Sequence, residues 1–237
     1  MMIPLDSSTR ALASSTPSKV TSVTSGVAPW LSQLAYPLGR HLVLPFYFGK
    51  ISVTGRENLP KEGPVILAPT HRSRWDSFMV PYAAGRDITG RDLRFMVSAN
   101  EIAGLQGWFI RRFGGFPVDT EHPGISSIRH GIELLQQGET LVLFPEGNIF
   151  RDNCIHPLKM GLAWIALQTE SNQPGLGIKI VPISIKYQES IPHRGCDVDI
   201  RIGSPLDAAD YRSDTVKKNA LRLTNDLQNA LKILHEG

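Results

Sequence analysis

The stretch LAPTHRSRWDSF, Leu67–Phe78, follows an apolar run and sets a histidine, His71, five positions ahead of an aspartate, Asp76. An ideal helix turns about 100° per residue, so five steps on one continuous helix would leave the two side chains about 140° apart. They can pair only if the chain turns sharply between the strand-like PVILAP and a helix starting near Asp76. Ser73 and Asp76 also have the spacing of a capping box, in which a Ser side chain and an acidic side chain three residues on satisfy each other's amides. Asp76 by itself is therefore compatible with an ordinary helix start, and the rest of the chain has to decide its role.

Outward from this stretch, short apolar runs alternate with helical patterns. The expected strands are ISVTG, PVILAP, LRFMVS, GGFPVD, TLVLFP, IKIVPISIKY and DVDIRIG. The expected helices are WDSFMVPYAA, LQGWFIRRF, GISSIRHGIELLQQG, LKMGLAWIALQTE and a long C-terminal segment from Asp214 to Glu236. In that last segment Leu221, Leu227, Ala230, Leu231 and Leu234 recur at helical intervals, as in an amphipathic helix covering a sheet. Alternation of this kind predicts an α/β fold with a mixed, largely parallel sheet covered by helices. His71 and Asp76 then follow one strand, and PEGNIFR follows TLVLF, so both emerge at carboxyl ends of strands, where open α/β sheets bind ligands.

The chain has 237 residues, enough for one sizeable core. Residues 1–26, rich in Ser and Thr and poor in apolar side chains, read as a disordered tail; their composition also faintly matches an organelle transit peptide. Residues 27–50 interleave Trp30, Tyr36, Phe46, Tyr47 and Phe48 with leucines and flank them with Arg40, His41 and Lys50. The uncharged run there, Leu42 to Phe48, is far short of the roughly 20 residues of a spanning helix. Aromatic and basic residues in this mixture suit an amphipathic interfacial segment on a membrane surface, although the same segment could simply pack on the domain; Pro37 and Pro45 would kink it either way. Residues 51–237 make up the expected catalytic domain. Its setting would be peripheral, on the cytoplasmic face of a membrane.

With 25 Lys and Arg against 22 acidic residues, the net charge of +3 gives mild attraction to anions and no case for nucleic acid. Cys154 and Cys196 have neither metal-ligand spacing nor the number for a disulfide framework. The seven histidines include no H-E-x-x-H pair, and there is no phosphate-binding or dinucleotide glycine loop, so neither metal nor cofactor is expected.

The run LVLFPEGNIFRDNCIHPLKMG places Glu146 and Gly147 after a strand and Arg151 and Lys159 downstream. A carboxylate can accept hydrogen bonds from hydroxyls, while Arg and Lys bind phosphate. H-x-x-x-x-D, GGFPVD, FPEG and VPISI, in this order over about residues 50–190, resemble the glycerolipid acyltransferase family, in particular 1-acylglycerol-3-phosphate acyltransferases. The resemblance implies that His71 is a general base oriented by Asp76. It places Gly115 and Phe116 in the second motif, tied to acceptor binding, Glu146 and Gly147 in the third, and Pro182 in the fourth. It also implies a donor, acyl-ACP or acyl-CoA, a lysophospholipid acceptor, and phosphatidic acid as product.

Two departures bear on the acceptor. Thr120 stands where the second motif often closes with Arg, and Asn148 and Ile149 follow FPEG where Thr and Arg are common. Arg151 and Lys159 are then the expected phosphate ligands, with Arg111 and Arg112 as alternatives. Glycerol 3-phosphate, another lysophospholipid or a non-phosphorylated lipid stay open as acceptors, as does a non-catalytic lipid-binding relative. The chain has no G-x-S-x-G elbow, which favours direct transfer over an acyl-enzyme. Cys154, Asp152 and His156 read as loop residues.

Overall fold

PVILAP is a strand buried on both faces, which is why it reads as a continuous apolar run rather than an alternation. Val65 and Leu67 enter one core with Met79, Val80 and Ala83. Ile66 and Ala68 enter the other with Leu134, Leu135, Ala163, Ala166, Leu223 and Leu227, as the two-residue side-chain period of a strand requires.

The computed structural model describes residues 26–102, 104–119 and 124–237, so all of the expected tail except Gly26 lies outside the described residues. The chain runs through α1 (Pro29–Leu38), a π-helical turn (Gly39–Val43), α2 (Leu44–Tyr47), β1 (Ile51–Thr54), β2 (Val65–Pro69), α3 (Asp76–Ala84) and α4 (Arg86–Thr89). It continues as β3 (Leu93–Ser98), α5 (Gly104–Arg112), β4 (Gly115–Val118), α6 (Ile125–Gln136), β5 (Thr140–Val142) and α7 (Gly161–Asn172). It closes with β6 (Lys179–Tyr187), β7 (Val198–Ile202), β8 (Leu206–Asp207) and α8 (Val216–Glu236).

The sheet order is β1-β7-β6-β2-β5-β3-β4, with β8 paired to β6. The strands β6, β2, β5, β3 and β4 are mutually parallel, whereas β7 and β8 run antiparallel to β6. The mixed, largely parallel α/β sheet is therefore the one the sequence predicts. Pro182 interrupts β6 without harm. It sits between the residues paired with β8 and those paired with β7, where no ladder amide is needed, and its carbonyl accepts from Gly203 N at 2.9 Å.

Two helices differ from expectation. Residues 29–47 are helical almost throughout, and the change to π-helical turns after Pro37 takes the place of a break. This segment packs and exposes at once: Leu44 and Phe48 are in the core, while Trp30, Leu34, Leu38, Leu42 and Phe46 recur every four residues on the outside. In α8, Leu221 is exposed, and Ala220, Leu223, Leu227 and Leu231 form the covering face instead. Among the described residues no helix is long and apolar enough to cross a membrane.

The last turn of α8 buries His235 against the sheet, where its Nδ1 is 2.9 Å from Ser184 Oγ. Burial above all, with Arg72, Lys186 and Arg201 adding positive charge, pushes this imidazole down to about 4. In the unfolded chain the ring titrates near about 6.5. The unfolded state thus takes up the proton first as the pH falls, so this stabilisation is complete above about 6.5 and is lost toward about 4. In urea titrations the wild-type protein should lose about 1–2 kcal/mol more than His235→Gln between about pH 7 and about pH 5. Equal losses would contradict the burial of a neutral ring.

Candidate active site

Beyond Pro69 the chain is anchored before it turns. Thr70 Oγ1 donates to Ile185 O at 3.2 Å and accepts from Ile185 N at 2.9 Å, and Thr70 N donates to Ile183 O at 2.9 Å. Residues 71–75 then form the turn, and α3 begins at Asp76. This brings His71 and Asp76 together, with Nδ1 at 2.9 Å from Oδ2. The same Oδ2 accepts from Arg72 N at 2.6 Å and Ser73 N at 2.8 Å. Half of the capping box is therefore present. The other half is not: Ser73 Oγ accepts from Trp75 N at 3.3 Å, and Asp76 N donates to the Ser73 carbonyl at 3.1 Å. Oδ1 accepts from the Tyr187 hydroxyl at 2.7 Å. Asp76 is fully buried, whereas the His71 side chain keeps 17% exposure.

The His71 ring stacks on Phe144 with centroids 4.0 Å apart and planes 22° apart. Its backbone is fixed as well, since His71 N donates to Glu146 Oε2 at 2.9 Å and His71 O accepts from Phe150 N at 2.9 Å. A carboxylate accepts only, so Asp76 selects the tautomer with the proton on Nδ1. The lone pair of the neutral ring is then on Nε2.

Glu146 lies against the same turn. Its side chain is sealed from solvent, and it accepts from Arg72 Nη1 at 2.9 Å, Arg72 Nη2 at 3.1 Å and His156 N at 3.0 Å in addition to His71 N. These bonds hold the loop after β5 against the turn after β2. Arg72 Nη2 also donates to the Cys154 carbonyl at 2.8 Å. Cys154 thus contributes its backbone, and His156 stacks on Phe150 at 3.7 Å while pairing with Asp152 at 2.9 Å.

Gly147 has φ of +75°, a conformation that favours glycine, and its open side is filled by the Lys159 side chain, whose Cε would lie within 2.6 Å of an added Cβ. Lys159 N donates to Pro145 O at 2.8 Å, which folds the loop back beside FPEG. Arg151 and Lys159 are both exposed on this loop.

The second motif lies elsewhere. Gly115 and Phe116 are buried in β4, three strands from β2 and therefore about 14 Å across the sheet. Phe116 packs edge-on against His130 at 4.8 Å, and a Cβ on Gly115 would come 2.3 Å from Ile110. Both residues are packed inside the domain. Arg111 and Arg112 end α5 just before β4 begins, at the opposite end of the parallel strands from His71. Thr120 lies outside the described residues.

Sequence reading missed Arg72 and Tyr187. Arg72 stands inside H-x-x-x-x-D, but nothing in the order of residues pairs it with a glutamate 74 positions on. The one signal for Tyr187 is an aromatic residue with a hydroxyl at the carboxyl end of a strand carrying VPISI. Removing one partner of a buried ion pair strands the other charge, so Arg72→Met should destabilise the protein by about 3–5 kcal/mol in urea unfolding. A loss below about 1 kcal/mol, the size of an exposed pair, would contradict this arrangement.

A family model described as acyltransferase matches residues 50–186. A 1-acyl-sn-glycerol-3-phosphate acyltransferase of Bacillus subtilis (strain 168) is 29% identical over 190 residues, covering 78% of this chain and 88% of that protein. A protein of the same name from Streptococcus pneumoniae (strain ATCC BAA-255 / R6) is 27% identical over 64% of this chain, which spans 53% of that relative. The crystal structure of the 1-acyl-sn-glycerophosphate acyltransferase PlsC from Thermotoga maritima shares the fold, with a TM-score of 0.68 and 21% identity over 88% of this chain and 79% of that one. Because the family match runs through more than half of the chain, this protein belongs to the acyltransferase family.

Proposed function

We propose that this acyltransferase moves a fatty acyl group from a thioester, acyl-ACP or acyl-CoA, to the free hydroxyl of 1-acylglycerol 3-phosphate, making phosphatidic acid. The observation that carries the reading is the 2.9 Å contact between His71 and the buried Asp76, on a turn at the carboxyl end of β2 with the ring partly exposed. The acceptor class comes from the names of the relatives.

His71 Nε2 takes the hydroxyl proton as the lipid oxygen attacks the thioester carbonyl. Asp76 holds the tautomer and stabilises the imidazolium, in the manner of a serine hydrolase whose nucleophile has been replaced by the substrate's own hydroxyl. Collapse of the tetrahedral intermediate breaks the C–S bond, and the departing thiolate takes the proton back from the imidazolium. No acyl-enzyme is needed, because the thioester is already activated.

Arg151 and Lys159 are the groups assigned to the acceptor phosphate, being cations on the loop that Glu146 and Gly147 fold beside His71. Residues 27–50 are assigned to the membrane surface and residues 51–237 to the acyltransferase domain. The exposed stripe Trp30, Leu34, Leu38, Leu42 and Phe46 supports an interfacial placement.

His71→Ala and Asp76→Asn should each lower acyl transfer from radiolabelled acyl-CoA or acyl-ACP to lysophosphatidate at least about a hundredfold, in proteins that still unfold cooperatively. Near wild-type rates in both would end the proposal. Arg151→Ala and Lys159→Ala should raise the KM for lysophosphatidate about tenfold or more, the size of a charged hydrogen bond, without changing the KM for monoacylglycerol. A competition of lysophosphatidate, glycerol 3-phosphate and monoacylglycerol in one reaction checks the acceptor. Preference for either of the other two would replace it.

A further inference from the structure

We propose that Tyr187 is a positioning residue for acyl transfer, acting through Asp76 to hold the His71 ring in its productive orientation. The inference rests on the reading of His71 as the base.

Three of the four donors on Asp76 converge on Oδ2, and two of them are backbone amides of the turn itself. Among the described residues Oδ1 has a single partner, the Tyr187 hydroxyl at 2.7 Å. The terminal torsion of an Asp side chain is broad and soft, so amides clustered around one oxygen leave the carboxylate plane free to swivel about that oxygen. A bond to the second oxygen removes this freedom. It also satisfies an atom that would otherwise be buried without a partner, since Asp76 is fully enclosed.

Tyr187 can impose a direction because it is itself held. It is the last residue of β6, whose register on β2 is fixed by Ala68↔Pro182 and Pro69↔Ile183 and by the bonds between Thr70 and Ile185. Its ring is buried and packs near Phe48, with centroids 6.1 Å apart. The carboxylate plane is thereby referred to the central sheet, and the imidazole inherits that reference through Oδ2. Burial first, then the charge of Asp76, pushes the phenol far up from its ordinary value, so it stays a donor throughout the working pH range.

There is also an electrostatic consequence. A hydroxyl donating to Oδ1 shares the negative charge that Oδ2 would otherwise offer wholly to the imidazolium. Loss of that hydroxyl should strengthen the attraction for the protonated ring and move the acid limb of the rate profile to higher pH.

The test compares Tyr187→Phe, Phe48→Leu and His71→Ala for acyl-CoA transfer to lysophosphatidate in mixed vesicles, with kcat, KM and the pH profile of kcat/KM recorded. Tyr187→Phe should lower kcat at least about tenfold with acceptor KM unchanged, and shift the acid limb upward. Phe48→Leu loosens the packing while keeping the hydroxyl, and should lower the melting temperature with the acid limb in place. A Tyr187→Phe enzyme with wild-type kcat and acid limb, or one whose loss only tracks its unfolded fraction, overturns the role of Tyr187. If His71→Ala is inactive in that case, the base reading stands alone; if His71→Ala is active, both fall.

Discussion

The site depends on a buried carboxylate with no contact to water. Asp76 sits at the first position of α3 and is bound by four donors: an imidazole, two successive backbone amides and a phenol. A buried polar group without partners is costly, so the turn must close around Asp76, and closing it is what brings His71 to Oδ2. The same oxygen that satisfies the start of the helix orients the ring. Helix start and His71–Asp76 pair, which the spacing presents as alternatives, are one arrangement. In this acyltransferase a stability requirement and the placement of the His71 imidazole share their atoms.

A second buried carboxylate ties the site to the neighbouring strand. Glu146 binds both ends of the Arg72 guanidinium and the backbone of His71 and His156, so the loop after β5 cannot move away from the turn after β2 without uncovering charge. Such a pair offsets its desolvation only with good geometry and further hydrogen bonds, and the fork of Arg72 supplies both, Nη2 donating to the Cys154 carbonyl as well as to Glu146. The outcome is a preorganised turn on rigid strand ends. Cations on the attached loop face solvent, as does an apolar stripe on residues 29–47.

How much of this is legible in the sequence depends on how local each interaction is. The strands and most helices follow from two-residue and helical periodicity, and β2 is recognisable because burial on both faces leaves an unbroken apolar run. His71 and Asp76 are close in sequence, so their spacing carries a signal once the turn is assumed. Arg72 and Glu146, or Asp76 and Tyr187, meet only because β5 and β6 flank β2, and no residue-level pattern encodes that adjacency. The pairing of Glu146 is hidden for the same reason: a carboxylate after a strand shows no partner until the neighbouring strand is placed. Phe116 and Gly115 carry a motif signature, yet the sheet order puts β4 at the far edge. Leu221 fits a helical interval on paper and faces out because Leu223 occupies the covering position.

The most direct measurement is the tautomer of the His71 ring, read from two-bond ¹H–¹⁵N correlations of ¹⁵N-histidine-labelled protein at alkaline pH, with a His71→Gln sample to assign the signals. The account predicts the proton on Nδ1, directed at Asp76, and a bare lone pair on Nε2. A ring protonated on Nε2, or one with the averaged signals of a freely rotating histidine, would contradict it.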